Sequence, residues 1–246
     1  MRGVDISHYQ RGLTIQQIKD AGNDFAIIKL TEGAWLRDGA AFDFYREAYE
    51  MGFPVGCYCY SHATTPEDAW SEAQFLLNTL NKFPMPCGIF LDIEEPKQLG
   101  LTKEKLYAIV ATWCNAIQAA GYIPGVYGSE GTIWTKLDPN TLPDGCLVWV
   151  AKWGQTPPNT PCDLWQTSDK GSIEGFDGAV DTDVSRGNYF EALVQKGYST
   201  ADACPIDGPC EQAKPDASGA FKLLAEYMQT EEFQQGFLTW AGGRHE

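Results

Sequence analysis

CGIFLDIEEP, residues 87–96, is the stretch from which the fold is predicted. Side chains of a strand alternate between its two faces, so Phe90, Asp92 and Glu94 share one face. The intervening isoleucines and leucine occupy the other face. Both faces begin apolar, which is typical of a strand covered by helices on one side and by a core on the other. Two acids emerge where this strand ends, just before Pro96. In parallel α/β folds, this end of the sheet is where chemistry takes place.

An isolated Asp-x-Glu is more often a solvated turn than a site, so its meaning depends on the rest of the chain. Seven further segments have the short apolar or alternating pattern of strands. They are residues 3–7, 25–30, 54–60, 122–127, 147–151, 163–167 and 179–184. Helical patterns lie between the earlier strands. They are residues 14–21, 40–51, 66–80 and 102–120, with a weaker one at 129–137. Strands that alternate with helices predict a parallel sheet with right-handed crossovers.

We therefore expect an α/β fold over residues 1–196, an irregular TIM-like (β/α) barrel with eight strands and about five helices. The last three strands have no room for full helices between them. Closure is favoured because polar residues fall at or just beyond the carboxyl ends of the strands. They are Asp5, Glu32, Tyr60, Asp92, Glu94, Trp153, Gln166 and Asp181. In a closed barrel these side chains converge on one mouth.

Composition narrows the class of ligand. The chain has 246 residues, of which 43% are hydrophobic, enough for one barrel and an appendage. The formal net charge of −15 argues against nucleic-acid binding, which depends on clustered Lys and Arg. No apolar run reaches the roughly 18 residues of a membrane span, so we do not expect membrane insertion. The aromatic content of 13% favours a ligand held by stacking and hydrogen bonds, such as a sugar.

Acids from strands one, four and eight share the inward face of the predicted barrel. They are Asp5, Asp92, Glu94 and Asp181. Carboxyl groups crowded at one mouth cannot all ionise freely, so at least one keeps its proton near neutral pH. Glycoside hydrolysis requires such an acid beside a group that stabilises an oxocarbenium-like centre. Glu94 is our candidate for the acid, because it lies furthest toward the mouth, and Asp92 for the stabilising carboxylate.

Other chemistries find little support. There is no HExxH motif, and residues 181–185 lack the Gly and Glu of a calcium loop. No GxSxG elbow or phosphate-binding loop is present either. We therefore expect no metal and no cofactor. Cys204 and Cys210 flank a tight turn and are the pair expected to form a disulfide if oxidised, whereas Cys57 and Cys59 are expected to be buried thiols.

Seven segments together resemble the successive motifs of the family 25 glycoside hydrolases, the Chalaropsis-type lysozymes, which include many phage endolysins. They are GVDIS (3–7), KLTEG (29–33), VGCYCY (55–60), FLDIE (90–94), LVWVA (147–151), LWQ (164–166) and VD (180–181). The resemblance covers about residues 1–195 in the correct order. It implies a flattened barrel that cleaves the β-1,4 bond between N-acetylmuramic acid and N-acetylglucosamine in peptidoglycan.

The resemblance also implies roles for the acids. Glu94 is the proton donor, and Asp5, Asp92 and Asp181 are its acidic partners. Retention of configuration is expected, with either the substrate N-acetyl group or a carboxylate as nucleophile. Two positions depart from the family pattern: Cys59 stands where the family usually has His, and strand eight reads Asp-Thr-Asp where Asp-x-Asn is usual. The alternation of side chains puts both Asp181 and Asp183 on the inner face, so it does not show which of them is the acidic partner. The family pattern favours Asp181.

Sugar contacts are expected from residues at or near strand ends. The aromatic candidates are Tyr60, Tyr127, Trp153 and Trp165, and the hydrogen-bonding candidates are Gln166 and Glu32. The alternative function is a non-catalytic barrel that binds peptidoglycan or a chitin-type glycan. The intact pair of Asp92 and Glu94 favours an enzyme.

The remaining predictions concern the ends of the chain. Residues 197–216 predict a linker, and 217–246 a short α-helical tail. About thirty residues are too few for a stable domain alone, so docking on the barrel or self-association is favoured over a wall-binding module. The N-terminus lacks the pattern of a cleaved signal peptide. We expect synthesis in the cytoplasm, of the host if the gene belongs to a phage, and action on the cell wall after release.

Overall fold

The computed structural model describes residues 1–196. The predicted linker, the helical tail and the Cys204/Cys210 pair lie outside the described residues. The strands of the described part are β1 (Arg2–Ile6), β2 (Phe25–Glu32), β3 (Leu36–Arg37), β4 (Val55–Tyr60), β5 (Ile89–Asp92), β6 (Pro124–Ser129), β7 (Leu147–Ala151), β8 (Leu164–Gly171) and β9 (Val180–Ser185). Its helices are α1 (Ile15–Asp20), α2 (Ala41–Glu50), α3 (Pro66–Leu80), α4 (Pro96–Leu99), α5 (Lys103–Ala119) and α6 (Asn188–Lys196).

Eight of these strands form a closed barrel, as predicted. Around the ring the order is β1, β2, β4, β5, β6, β7, β8 and β9, and β9 pairs with β1 to complete it. The short strand β3 pairs with the end of β2 as a hairpin outside the ring. The expectation of an irregular (β/α) barrel is therefore confirmed, and the four stronger predicted helices, at 14–21, 40–51, 66–80 and 102–120, are present within one residue of their expected bounds.

The expectation of a parallel sheet throughout is wrong for the last strand. Strand β9 runs antiparallel to both of its neighbours, β8 and β1. Only residues 172–179 connect β8 to β9. A parallel crossover needs about a dozen residues or more, whereas an antiparallel return needs only a short turn. The short connection therefore forces the antiparallel arrangement.

Local boundaries also differ from the prediction. The strand that carries Asp92 ends at that residue, and Pro96 starts the short helix α4 instead of only stopping the strand. A proline suits a first helical turn because its missing N–H has no partner to lose there. The weak helical pattern at 129–137 becomes only a short 3₁₀ turn, Ile133–Thr135. Strand β3 and helices α4 and α6 were not predicted.

Two apolar layers hold the barrel together. The larger lies between the outer face of the strands and the helices, and the smaller fills the interior. In the interior, Phe90 packs against Trp149 with ring centroids 5.2 Å apart. A Cβ atom at Gly125 would lie 2.3 Å from the Phe90 ring, so glycine is needed there.

Helix α6 closes one end of the barrel. Its Phe190 packs on Phe25, the first residue of β2, with ring centroids 4.9 Å apart. The amino end of the strands is therefore covered, and the carboxyl end is left as the mouth. No helix in residues 1–196 is long and apolar enough to cross a membrane.

The interior layer yields a stability prediction. Phe90→Ala should lower the free energy of unfolding by about 3–5 kcal/mol, because it leaves a cavity inside the ring. Urea unfolding monitored by circular dichroism measures this loss. Phe42→Ala is the matched control, since Phe42 on α2 is 43% exposed and should change stability by less than about 1 kcal/mol. Equal losses in the two variants would contradict the assignment of Phe90 to the barrel core.

Candidate active site

Strand register brings distant acids to the mouth of the barrel. In the β1–β9 pair, Asp5 lies opposite Asp181. On the other side, Asp92 on β5 pairs with Tyr60 on β4 and with Tyr127 on β6. Because these residues share the inward parity, their side chains face a common space, as the spacing of the sequence predicted.

Asp92 and Glu94 form the first group of acids. Asp92 is buried, and within residues 1–196 one of its carboxyl oxygens has no hydrogen-bond partner. Burial raises the pKa of Asp92, the neighbouring charge of Glu94 raises it further, and Lys29 opposes both. Glu94 lies just past the end of β5 with an exposed side chain, yet the surrounding wall desolvates its carboxyl and raises its pKa. At least one carboxyl of this pair therefore keeps its proton to a higher pH than an isolated acid does.

Asp5, Asp181 and Asp183 form the second group. Burial raises the pKa of Asp5, and the charges of Asp183 and Asp181 add to the effect. Burial raises the pKa of Asp181 to about 6, with contributions from Asp169 and Glu94. Asp183 lies deeper, where its carboxyl accepts a hydrogen bond from the indole N–H of Trp149 at 2.8 Å. Of the two aspartates on β9, Asp181 is therefore the one whose charge interacts with Glu94.

Gln166 on β8 joins both sides of the mouth. Its amide nitrogen donates to Asp5 at 2.9 Å and to Asp181 at 3.3 Å. Its amide oxygen accepts from the Tyr127 hydroxyl at 3.0 Å and from the Trp153 indole at 2.9 Å. An amide has two donor hydrogens and two acceptor positions, and the protein uses all of them. The predicted hydrogen bond from Gln166 to a sugar stays a prediction, and it would require a sugar group to replace one of these four partners.

The predicted sugar-stacking aromatics separate into different environments. Trp153 is 60% exposed beside the mouth, and its ring is tethered through the bond to Gln166. Tyr60 is half-buried and donates its hydroxyl to Glu95 at 3.0 Å. Tyr127 is buried in the wall, 4.5 Å from Trp149 between ring centroids, so its ring offers no open face. Of these three, Trp153 has the geometry of a platform.

Trp165 is a correction to the prediction. It lies between Leu164 and Gln166, which face inward, so its own side chain is on the outer face of the barrel. Its indole N–H donates to the carbonyl of Lys152, and Arg186 lies over the ring at 6.0 Å. The period of two along a strand excludes Trp165 from the mouth, and this could have been deduced from the sequence.

The rim at the ends of β2 and β4 carries a network of charges. Glu32 accepts hydrogen bonds from Lys29 at 2.7 Å and from His62 at 3.1 Å. Burial opposes ionisation of Glu32, but these two bonds outweigh it and lower its pKa. Glu32 is therefore a charged member of the wall that already has protein partners.

Sequence reasoning missed Lys29, His62 and Glu95 at this rim. The buried ammonium of Lys29 lies 5.0 Å over the Tyr60 ring. Lys29 is two residues from Ile27 on the same strand, so the sequence could have placed its side chain on the inner face. Glu95 was expected on the opposite face. It reaches the mouth because β5 ends at Asp92, after which strand alternation no longer applies. Among residues 1–196, no three His, Cys, Asp or Glu side chains are grouped to hold a metal ion.

Buried carboxyls at the open end of a closed barrel, with one acid at the rim, are the arrangement that glycoside hydrolysis requires. Residues 4–176 match the model for glycosyl hydrolases family 25, and the chain belongs to this family. The resemblance drawn from the motifs is confirmed. The match ends before β9, so the placement of Asp181 and Asp183 rests on the geometry described above.

Individual relatives agree with this family. The autolytic lysozyme of Clostridium acetobutylicum is 29% identical over 204 residues, covering 82% of this chain and 60% of the relative. Lysozyme M1 of Streptomyces globisporus is 26% identical over 209 residues, covering 79% of this chain and 70% of the relative. The crystal structure of the bacterial lysozyme from Streptomyces coelicolor is 25% identical, with a TM-score of 0.69, covering 78% of this chain and 95% of that one. The chain thus spans well under the full length of the first relative.

Asp183 yields a prediction for stability against pH. Burial raises its pKa from 3.8 to about 7, so the folded state holds this proton more tightly than the unfolded chain. Between these pH values the unfolded chain loses the proton first, and stability falls as pH rises, by at most about 1.4 kcal/mol per pH unit. Asp183→Asn removes this loss, because an amide there carries no charge and still accepts from Trp149.

The gain in unfolding free energy from Asp183→Asn should therefore be small at pH 4 and should increase up to pH 7. Urea unfolding at a series of pH values measures it. Asp177→Asn, at an exposed position, is the matched control and should show no such trend. A gain that does not change with pH would contradict the buried, protonated state of Asp183.

Proposed function

We propose that the protein is a muramidase that hydrolyses the β-1,4 bond between N-acetylmuramic acid and N-acetylglucosamine in bacterial peptidoglycan. The observation that carries the proposal is the desolvated pair of Asp92 and Glu94 at the mouth of a family 25 barrel. A barrel that only binds glycans has no need of two acids that cannot both ionise freely. The pair therefore favours hydrolysis over binding alone.

Glu94 has the position of a proton donor. It stands beyond the end of β5 with its side chain reaching solvent, where a glycosidic oxygen can approach it. Its raised pKa keeps the carboxyl protonated to higher pH than an ordinary glutamate. In the reaction, this proton passes to the oxygen of the departing N-acetylglucosamine as the glycosidic bond breaks.

Asp92 has the position of a charge stabiliser. It is two residues behind Glu94, buried, and one of its oxygens is unpaired within residues 1–196. Once Glu94 has given up its proton to the leaving group, positive charge develops at the anomeric carbon, and a nearby carboxylate stabilises it. Asp181, which Gln166 holds beside Asp5, adds negative potential across the mouth when it is ionised.

The second half of the reaction adds water to the anomeric carbon. The water hydroxyl joins the anomeric carbon of the muramic acid residue as the bond from that carbon to the intermediate nucleophile breaks, and the water proton returns to Glu94. We propose retention of configuration, with either the substrate N-acetyl group or a carboxylate as the intermediate nucleophile. The anomer released first, followed by NMR, tests the retention.

We further propose that the bacterial cell wall is the site of action, in the manner of an endolysin or an autolysin. The described part of the chain offers a mouth with an exposed indole and several acids, which suits a polymeric glycan held by stacking and hydrogen bonds. Self-association through residues 217–246 remains a proposal that rests on the sequence pattern alone.

Glu94→Gln tests the proton donor directly. The variant should lose about 10²–10⁴-fold in kcat/KM, because an amide cannot supply the proton. Release of new reducing ends from purified peptidoglycan measures the loss, and thermal unfolding shows whether the barrel is intact. Glu50→Gln, at an exposed position at the end of α2, makes the same chemical change and should leave activity unchanged. A folded Glu94→Gln variant with full activity would refute the proposed role.

Trp153 provides a test of substrate binding. Trp153→Ala should raise KM about fivefold, since one aromatic contact contributes about 1 kcal/mol. Trp153→Phe keeps a ring but lacks the N–H that bonds to Gln166. Its KM should therefore lie between those of the wild type and Trp153→Ala. An unchanged KM for soluble peptidoglycan fragments in both variants would remove Trp153 from the binding site.

A further inference from the structure

Two thiols are in contact in the apolar layer outside the barrel, away from the mouth. Cys114 lies in the second half of α5, and Cys146 immediately precedes β7. Their Sγ atoms are 3.5 Å apart, although the two residues are separated by 32 positions in the chain. Residues 1–196 contain six cysteines, all with free thiols, and this is the one thiol–thiol hydrogen bond among them.

The backbone segments that carry the two cysteines are held close by other contacts as well. Gln118, one turn after Cys114 on α5, donates its side-chain amide to the carbonyl of Asp144 at 2.6 Å. Leu147, the residue after Cys146, is the first of β7 and is fully buried. Cys146 also packs against the apolar cluster that contains Cys114. Helix α5 and the start of β7 are therefore fixed relative to each other on both sides of the thiols.

A covalent bond between the two sulfurs requires only a small movement. An S–S bond is about 2.0 Å long, so the Sγ atoms must approach by about 1.5 Å from their present separation. Cys146 precedes Leu147, the first residue of β7 that pairs with β6. A rotation of the Cys146 side chain and a small shift of the segment before β7 can therefore supply this movement without breaking the strand pairing.

The two thiols differ in exposure, and this sets the order in which they react. Cys146 is half-buried, so its sulfur can be reached from solution, whereas Cys114 is buried. The contact with Cys146 and burial both raise the pKa of Cys114, so this thiol reacts more slowly than an ordinary cysteine. Cys146 is therefore the thiol that meets an oxidant first, and Cys114 is the thiol that resolves the product.

We propose that Cys114 and Cys146 are an oxidation site, at which a low-molecular-weight disulfide produces an intramolecular disulfide bond. The Cys146 thiolate attacks one sulfur of the oxidant, and one small thiol leaves. Cys114 then gives up its proton and attacks the Cys146 sulfur of this mixed disulfide, and the second small thiol leaves. The protein loses two hydrogens with their electrons, and the oxidant takes them up as it is split into two thiols.

The expected effect of the bond is on stability and not on catalysis. It closes a loop from α5 to the start of β7 that includes all of β6, and a cross-link across such a loop restricts the unfolded chain. The acids of the mouth are at the other end of the strands, so their geometry should not change. The inference stands without the proposed function. It suits a protein that acts on the cell wall, because conditions outside the cytoplasm are less reducing.

Peptide mapping of the folded, full-length chain after incubation with oxidised glutathione tests the proposal. Trypsin cuts after Lys136, between the two cysteines, and puts them on the separate peptides 106–136 and 137–152. We expect these peptides to become joined over hours, at a mass lower than their sum by two hydrogens, and to separate on reduction. A glutathione adduct on Cys146 without the joined peptides, or no reaction at all, would overturn the proposal.

Two serine variants measure the effect of the bond on stability. Cys146→Ser removes the bond, and Cys162→Ser is the matched control because Cys162 is also half-buried. Oxidation should raise the Tm of the wild type and of Cys162→Ser by about 5–10 °C and should leave that of Cys146→Ser unchanged. Equal shifts in all three proteins would assign the effect to other cysteines and refute the site. Should Cys146→Ser fail to fold, the peptide map of the wild type still decides.

Discussion

Backbone hydrogen bonding between β1 and β9 closes the barrel, and the arrangement of the mouth depends on that closure. The two strands are more than 170 residues apart in sequence, so their pairing is a long-range contact with a large loop-closure cost. It sets Asp5 directly opposite Asp181 and puts Asp183 one step deeper. The antiparallel direction matters as well, because a parallel β9 would have presented its acids with the opposite order of depth.

Closure also concentrates charge that the chain must tolerate. Several of the carboxyls are buried, and desolvation is the largest cause of the raised pKa of Asp5, Asp92 and Asp183. Such a group stabilises a fold poorly when it is ionised, because burial of an unpaired charge is unfavourable. The barrel offsets this cost with the interior aromatic layer around Phe90 and Trp149 and with the fully used amide of Gln166. Desolvation of these carboxyls is thus the origin both of the local instability and of the raised pKa values at the mouth.

Much of this arrangement could be predicted from the sequence. Alternation with a period of two placed Asp5, Asp92 and Asp181 on the inner face, and helical spacing located α3 and α5. Prediction failed where the regular alternation of side chains stops, and where the length of a connecting segment decides the direction of a strand. Glu95 follows the last residue of β5, so parity no longer says which way it points, and the direction of β9 depended on the short segment 172–179. The hydrogen-bond partners of Gln166 come from four separate elements, and no local pattern reveals them.

The tether between Trp153 and Gln166 has a consequence for protein engineering. The Gln166 side chain accepts from the exposed indole through its oxygen and donates to Asp5 and Asp181 through its nitrogen. A designer who replaces Trp153 also changes how firmly Gln166 holds these two carboxyl groups. The exposed indole and the acidity of the mouth are therefore linked in this scaffold, and variants selected for a change in one should be screened for a change in the other.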